Sequence, residues 1–479
     1  MSKLYIFGIG GTGARVLRSL TMLLASGVKI GTDEIVPIII DPDAANADLT
    51  RAVSLMDNYR SIRSRLSFTP EDLTPFFRTE LRALSPGYTL RIEDTDDRLF
   101  REFIELSSVS GATGDRTTEA MLNMLFSKDN LNASMDVGFK GNPNIGSVVL
   151  NQIIASREFE LFAGSFEEGD RIFIISSIFG GTGASGFPLL LKTLRTNKEI
   201  ANHAYINAAP IGAVTILPYF SLEPDDESEI DSSTFVSKAK SALAYYEKNI
   251  VKTNQVDTLY LLADTMNGNY ENHEGGSAQQ NKAHLMEFLA ATAVADFASE
   301  RFDEEEPRTT ISKEFAVKDL KSENSSITFN TFYDKDKGLL FPPMTAFMLL
   351  TECLTEKFEW FSSKSFNANN DHFKDLYDAP FMNDLRRITS GYLEWLQEMK
   401  ENKRSLDLFT IESFSKPFDI VTDMKPKGSL LSFLKDYNLI TDRLNSAVRN
   451  VHYTNKEENK FLEMFYLATS KLVTEKYSI

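Results

Sequence analysis

IFIISSIFGGTGASGFPLLLKTLR, residues 172–195, is the stretch on which the reading of this chain turns. Ile172 to Phe179 is mostly apolar and rich in β-branched residues, the pattern of a buried strand. Gly180, Gly181, Thr182, Gly183, Ala184, Ser185 and Gly186 follow, and Phe187 to Arg195 then has the spacing of a helix with one apolar face. A strand, a glycine-rich loop and a helix start together make an arrangement for binding phosphate. Small residues let backbone N–H groups converge on anionic oxygens, and the helix N-terminus adds the positive end of its dipole. No lysine follows the glycines, so the stretch does not match the GxxxxGK[ST] phosphate loop. A polyphosphate here would be held mainly by backbone amides and by the hydroxyls of Thr182 and Ser185. For this loop taken alone, a tight strand-to-helix turn that needs glycine is the alternative.

The N-terminus repeats the unit. Lys3 to Phe7 reads as a short strand, Gly8, Gly10, Gly11, Thr12 and Gly13 as a glycine loop, and Ala14 to Leu24 as a helix. Gly8, Gly10 and Gly13 fit the GxGxxG pattern of dinucleotide-binding folds. Glu34 to Ile40 is a second strand and ends in DPDAANAD, where Asp41 and Asp43 are placed to hold a cation beside a phosphate chain, or are solvated loop acids. Near Gly141, the turn GNPNIG (141–146) offers Asn142 and its neighbours to a ligand.

Composition narrows the classes. The chain has 479 residues, 68 acidic against 51 basic, for a net charge of −17. That balance argues against a general binder of nucleic acid or anionic membrane, since both need a concentrated positive surface. The five histidines and single cysteine, Cys353, show no metal-ligand spacing. No clearly apolar run is long enough to span a bilayer, and the N-terminus lacks a secretory pattern, so a soluble, cytoplasmic protein is expected.

Along the rest of the chain, Thr50 to Asp97 reads as a polar elaboration between core elements. Ala204 to Leu217 reads as a strand interrupted by AAPIG, Phe235 to Ile250 as a helix, Val256 to Ala263 as a strand and His284 to Phe297 as an apolar helix. This alternation predicts an open, mostly parallel α/β sheet. Ligands of such sheets gather outside the strand C-termini, where the glycine turns fall. After the acidic run Glu300 to Pro307, strand candidates at Ser326 to Phe332 and Leu340 to Leu350 (the latter ambiguous with helix) precede helices at Phe381 to Lys403, Ser429 to Arg449 and Lys460 to Tyr477.

Four motifs in one order resemble the tubulin/FtsZ superfamily. FGGTGASG (179–186) is similar to its phosphate loop, with Phe179 in place of the first glycine of a GGG triplet. GIGGTGARV (8–16) resembles the opening loop, IDPDAANAD (40–48) the end of the second strand, and GNPNIG (141–146) the third loop. The resemblance implies a nucleotide-binding domain over residues 1–280 and a central helix over 281–300. It also implies a divergent C-terminal domain over 301–479, α/β or α+β with a helical extension. It places GTP or GDP on Gly10, Gly11, Thr12, Gly13, Asn142 and Gly180 to Gly186, Ala184 and Ser185 included. Asn281 would approach the guanine base, and Asp41 and Asp43 would hold Mg²⁺, through water. His284, one turn later, is near the base or is a satisfied structural histidine.

In polymerising members of the superfamily the loop after the central helix reaches the nucleotide of the next subunit. Here SERFDEEEPRT (299–309) resembles that loop without its GxxNxD-like arrangement. Asp303 and Glu304 are the candidate catalytic acids, acting on an adjacent subunit, and a solvated linker is the alternative. The expected function is therefore a guanine-nucleotide-binding, tubulin-like protein that assembles head-to-tail, a GTPase if the interface activates water. The alternative is a catalytically weak nucleotide-sensing scaffold whose C-terminal region recruits a partner. An NAD-dependent oxidoreductase is a third reading that leaves the second glycine loop without a use.

Overall fold

The computed structural model describes residues 2–43, 46–69, 72–92, 95, 98–110, 114–135, 139, 142–222, 234–264, 269–270, 280–302, 307–314, 317–318, 326–363, 373–411, 416–427, 433–451 and 456–477. In chain order the elements that build the site are β1 (Lys3–Ile9), α1 (Gly10–Ala25), β2 (Glu34–Ile40), α2 (Ala47–Arg65) and β3 (Glu80–Leu81). Next come α3 (Pro143–Val149), β4 (Arg171–Ser177), α4 (Gly181–Thr196), β5 (Ile211–Ile216) and α5 (Phe235–Tyr246). β6 (Thr258–Leu262), α6 (Leu285–Ala298) and β7 (Ile311–Glu314) complete the sheet region. The C-terminal part is carried by α7 (Asp334–Leu354), α8 (Pro380–Lys400), α9 (Phe433–Val448) and α10 (Glu457–Tyr477).

The seven strands form one parallel sheet in the order β3-β2-β1-β4-β5-β6-β7. β1, with every residue buried, is an interior strand, paired to β2 from Lys3↔Glu34 and to β4 from Leu4↔Arg171. Strands buried on both faces need continuous apolar runs, which EIVPIII and RIFIISS supply. The chain first grows from β1 toward β2 and β3, then returns to pair β4 on β1's other side, so the sheet order reverses between β1 and β4. In open α/β sheets that is the crevice where ligands bind.

Several elements differ from the sequence expectation. α2 falls where a polar elaboration is read; its many charges, with Arg60, Arg63 and Arg65 among them, hide an apolar stripe of Leu49, Ala52, Met56, Tyr59 and Ile62. The segment read as an interrupted strand from Ala204 begins as a helix, His203–Ala208, and becomes β5 only at Ile211. The central helix runs Leu285–Ala298, so residues 281–284 precede it as irregular chain. Apart from Asp296 it is buried on every side, the mark of a helix wedged between layers.

Leu340 to Leu350 is helical within α7, despite Pro342 and Pro343. Ser326 to Phe332 gives only a bridge from Ile327 to Leu406 and a short 3₁₀ turn at Phe329–Thr331. α8 carries the predicted amphipathic stripe, Phe381, Leu385, Ile388, Tyr392, Trp395 and Met399, buried against the rest of the molecule. Among the described residues no helix is long and apolar enough to cross a membrane.

Candidate functional site

Both glycine turns are tighter than predicted, because each glycine run is itself the first turn of a helix. α1 starts at Gly10 and α4 at Gly181. Gly10 has φ +70, which only glycine adopts freely, and it turns the chain straight from strand into helix. Two other positions tolerate no side chain. A Cβ on Gly13 would lie 2.3 Å from the Gly8 carbonyl carbon, and one on Gly183 would lie 2.5 Å from the Ser177 oxygen. Each helix is thereby pressed onto the strand that feeds it.

The two turns meet. A Cβ placed on Gly10 would sit 3.4 Å from Thr182 Cβ and 3.9 Å from the Gly183 nitrogen. The first N–H groups of any helix lack intrahelical acceptors. Neither N-cap here, Ile9 or Gly180, supplies a side-chain acceptor, and neither first turn contains an acidic residue. Two positive helix ends thus face one place at the topological switch point, neither with an acid in its own first turn, an arrangement suited to an anion. Of the two hydroxyls expected there, Ser185 is buried and donates to the Gly181 carbonyl oxygen at 2.7 Å.

The third turn joins them from the side. Asn142 stands at the N-cap position of α3 without a side-chain capping bond, and a Cβ on Gly146 would fall 2.2 Å from Ser185 Oγ, so α3 lies directly on the start of α4. Gly141 lies outside the described residues. Phe179, the departure from the glycine triplet, is buried. Its ring packs 5.1 Å from Phe235, 5.5 Å from Phe220 and 6.2 Å from Tyr219, which pins the entry to the second turn on the chain following β5 and on α5.

Asp41 and Asp43 are both buried at the end of β2. Burial, with Asp43 alongside, pushes the Asp41 carboxyl up to about 7, although its Oδ1 accepts the Asp43 N–H at 3.1 Å. Among the described residues no group of three or more His, Cys, Asp or Glu side chains is arranged to hold a metal ion. A pair of carboxylates fits only a cation that takes most of its ligands from water and phosphate, as Mg²⁺ does. The loop reaches α1 through Asn46, whose Nδ2 would be 3.3 Å from a Cβ on Gly11.

One turn into α1, the buried Arg15 donates to Asp48 at 3.0 Å and to Glu287 at 2.5 Å, tying α1 to α2 and α6. Burial works against its charge, but Glu287, Tyr219 and Asp48 around it hold the guanidinium well above its ordinary value. Asn281 donates its backbone N–H to Asp48 Oδ1 at 3.0 Å and its Nδ2 to Asp48 Oδ2 at 2.7 Å. His284 is the N-cap of α6. Its Nδ1 accepts from the Met286 N–H at 3.1 Å, its ring lies 4.5 Å from Tyr219, and burial lowers its pKa to about 4.

Asp303 and Glu304 lie outside the described residues. Their described flanks lie at the opposite end of the sheet from the glycine turns. Arg171, the first residue of β4, donates to the carbonyls of Ala298 and Glu300, and Arg308 reaches Asp257 just before β6. Arg15 and Glu287 are not singled out by the sequence, and Asp48 is read there only as one of the loop acids after the second strand. A charged residue inside an apolar helix, Arg15 in GARVLRSL, is a signal that a buried partner exists but does not say which.

No family model and no curated protein matches the chain. Among solved structures it is similar to CetZ2 from Haloferax volcanii, a GTPgS-bound protofilament, at 14% identity over 62% of this chain and 58% of that one, with a TM-score of 0.30. It is also similar to CetZ1 from Haloferax volcanii, a GDP-bound monomer, at 17% identity over 55% of this chain and 51% of that one, with a TM-score of 0.27. The chain thus matches 58% and 51% of the lengths of these two proteins. By its own strand order and the position of its glycine turns, it has an α/β fold, a parallel seven-stranded sheet with both glycine turns at its switch point and a helical C-terminal part.

Proposed function

We propose that the protein binds a guanine nucleotide, GTP or GDP, in the crevice between β1 and β4 and assembles head-to-tail in a nucleotide-dependent way. The observation that carries this reading is the meeting of two helix N-termini, at Gly10 and Gly181, uncapped by side chains and free of acidic residues in their first turns. Backbone amides of Gly10 to Gly13 and Gly181 to Gly183 would hold the phosphates, with Asn142 on the adjoining turn; the Ala184 N–H is already donated to the Gly180 carbonyl oxygen at 3.2 Å. Asp41 and Asp43 would hold Mg²⁺ through water, and the cation would neutralise charge on the phosphate chain. Asn281 would face the base.

α6 supports head-to-tail contact as the place where hydrolysis would be completed. It begins beside Asp48 and Tyr219, at the strand C-termini, and ends against Arg171, at the strand N-termini. The acidic segment that contains Asp303 and Glu304 therefore has both described flanks a full strand length from its own glycine turns. On this reading it would serve the nucleotide of another subunit. Activation of water for attack on the γ-phosphate would then require two protomers.

A second reading, a nucleotide-sensing scaffold with little turnover, is favoured by the helical C-terminal part, which contacts α1 and α2 directly. One experiment separates the readings: purified protein is incubated with GTP, GDP, ATP or NAD across protein concentrations, with bound ligand, phosphate release and filaments followed on the same samples. Guanine-nucleotide binding with phosphate release that rises per molecule as concentration increases is the expected outcome. Binding without release favours the sensor, and NAD binding without GTP binding overturns the proposal.

A further inference from the structure

Residues 281–284 form an irregular stretch with no helix or strand partner, yet their backbone polar groups are held one after another by side chains from four different places. Asn281 N–H goes to Asp48, and Asn281 O receives Arg51 at 3.1 Å. Ala283 N–H goes to Glu398 at 2.8 Å, Ala283 O receives Asn402 Nδ2 at 2.6 Å, and His284 N–H goes to Glu287 at 3.1 Å. Asp48 and Arg51 belong to α2, and Glu287 to α6 itself. Glu398 and Asn402 come from the end of α8 and the residues just past it, in the C-terminal part.

Glu398 is the node of this set. Its side chain, 12% exposed, also accepts Arg18 of α1 at 2.6 Å and Arg51 of α2. Burial alone would raise its pKa, but the Arg18 hydrogen bond and the surrounding positive charge carry it below the usual carboxylate range, so it is an anion throughout the neutral range. Two further contacts fix α8 against the glycine-turn helix α1 and against α6. Trp395 Nε1 donates to Ser19 Oγ at 3.1 Å, and the Trp395 ring lies 5.9 Å from Phe288 of α6. Arg404, a little further along, forms a two-point pair with Asp264 after β6, at 2.9 and 3.0 Å.

We infer that Glu398 and Asn402 are positioning residues for the base end of the nucleotide site, contributed by the C-terminal helices rather than by the nucleotide-binding domain. They set the place of Asn281 and the N-terminus of α6, and through Arg18 and Arg51 they lock that place to α1 and α2. The phosphate end depends on the packing of glycines against β1 and β4, and these contacts meet α1 only at Arg18, about two turns past Gly10. The inference rests on the proposed nucleotide site and predicts that its two ends respond separately to substitution.

The test compares GTP with inorganic tripolyphosphate, which presents phosphates without a base, by titration calorimetry on the full-length protein. Glu398→Gln keeps the volume and removes the charge; Asn402→Ala acts on the same segment through the Ala283 carbonyl oxygen. Each is expected to weaken GTP roughly five- to tenfold while leaving tripolyphosphate affinity within twofold of the parent. Gly183→Ala, at the other end, should weaken both ligands. Unchanged GTP affinity in folded Glu398→Gln and Asn402→Ala proteins overturns the inference, as does an equal loss for both ligands. A parent protein that binds neither ligand overturns the proposed site itself. A parent that binds both ligands equally, with no gain from the base, overturns only the base-end assignment.

Discussion

The two ends of the central sheet treat exposed backbone groups in opposite ways. At the strand N-termini, buried or half-buried arginines serve carbonyl oxygens. Arg195 donates to Gln255, Asn207 and Ala209, Arg308 to Asn207 and Ala208, and Arg171 to Ala298 and Glu300. Asp257 accepts from Arg195 at 3.2 Å and from Arg308 at 3.2 Å and closes the network. At the strand C-termini the mirror-image solution, carboxylates on the helix N–H groups, is absent from the first turns of α1 and α4. Asp48 and Glu287, at the same end, are turned to Arg15 instead. One end is completed by the chain's own side chains; the other presents donors and dipoles that an anion from outside would satisfy.

The comparison can be broken most directly by making the open end resemble the closed one. Gly181→Asp puts a carboxylate into the first turn of α4, where it complements the helix dipole and repels phosphate. GTP binding should fall beyond calorimetric detection, a loss on the order of a thousandfold, while thermal unfolding stays at or above the parent's midpoint. A Gly181→Asp protein with parental affinity would falsify the assignment of phosphates to this turn. Gly183→Ala acts by steric means, since its Cβ would meet the Ser177 oxygen at 2.5 Å. A shift of α4 away from β4 should weaken GTP about a hundredfold and also lower stability by ~1–3 kcal/mol.

The closed end should respond in the reverse sense. Arg195→Met leaves three carbonyl oxygens and Asp257 without this guanidinium, and urea denaturation should register a loss of about 3 kcal/mol with GTP affinity unchanged. Burial lowers the Arg195 pKa only to about 9, so the pair persists at neutral pH. A fall in GTP affinity in this variant would mean that the two ends are not independent.

The smallest effect concerns His284, buried at the glycine-turn end with its pKa lowered to about 4 by desolvation. In the unfolded chain the imidazole takes up a proton near its ordinary pKa of 6.5, and in the fold it does not. The stability it allows is therefore complete above that value and is lost as pH falls toward 4. His284→Asn retains an N-cap acceptor without the titration. It should reduce the drop in unfolding free energy between pH 7 and pH 5 by roughly 2 kcal/mol, read from denaturation curves at the two pH values. An identical pH dependence in the variant would show that His284 takes up its proton in the folded state.

Legibility in the sequence followed the range of the interactions. The strand–glycine–helix units at residues 3–25 and 171–196 could be read because a few neighbouring residues encode them. So could β2, which matches its predicted span, Glu34–Ile40. α2 was hidden because its charges face outward and its buried stripe is sparse. The helical half of Ala204 to Leu217 was hidden because an isolated short apolar run has no length from which to tell strand from helix. Asn281 was legible as a residue near the head of the central helix, but not as one whose amide is committed to Asp48.

What the chain alone determined is the local chemistry: two turns where glycine is obligatory, the apolar strands that feed them and the helices that leave them. These follow from steric limits and periodicity over a dozen residues, which any fold must obey. What only the tertiary structure decided is that the two turns face each other across β1 and β4, and that Arg18 meets Glu398 across an |i−j| of 380. Such pairings are fixed by how layers pack. A buried charge announces that it needs a partner, and the packed fold alone supplies which one.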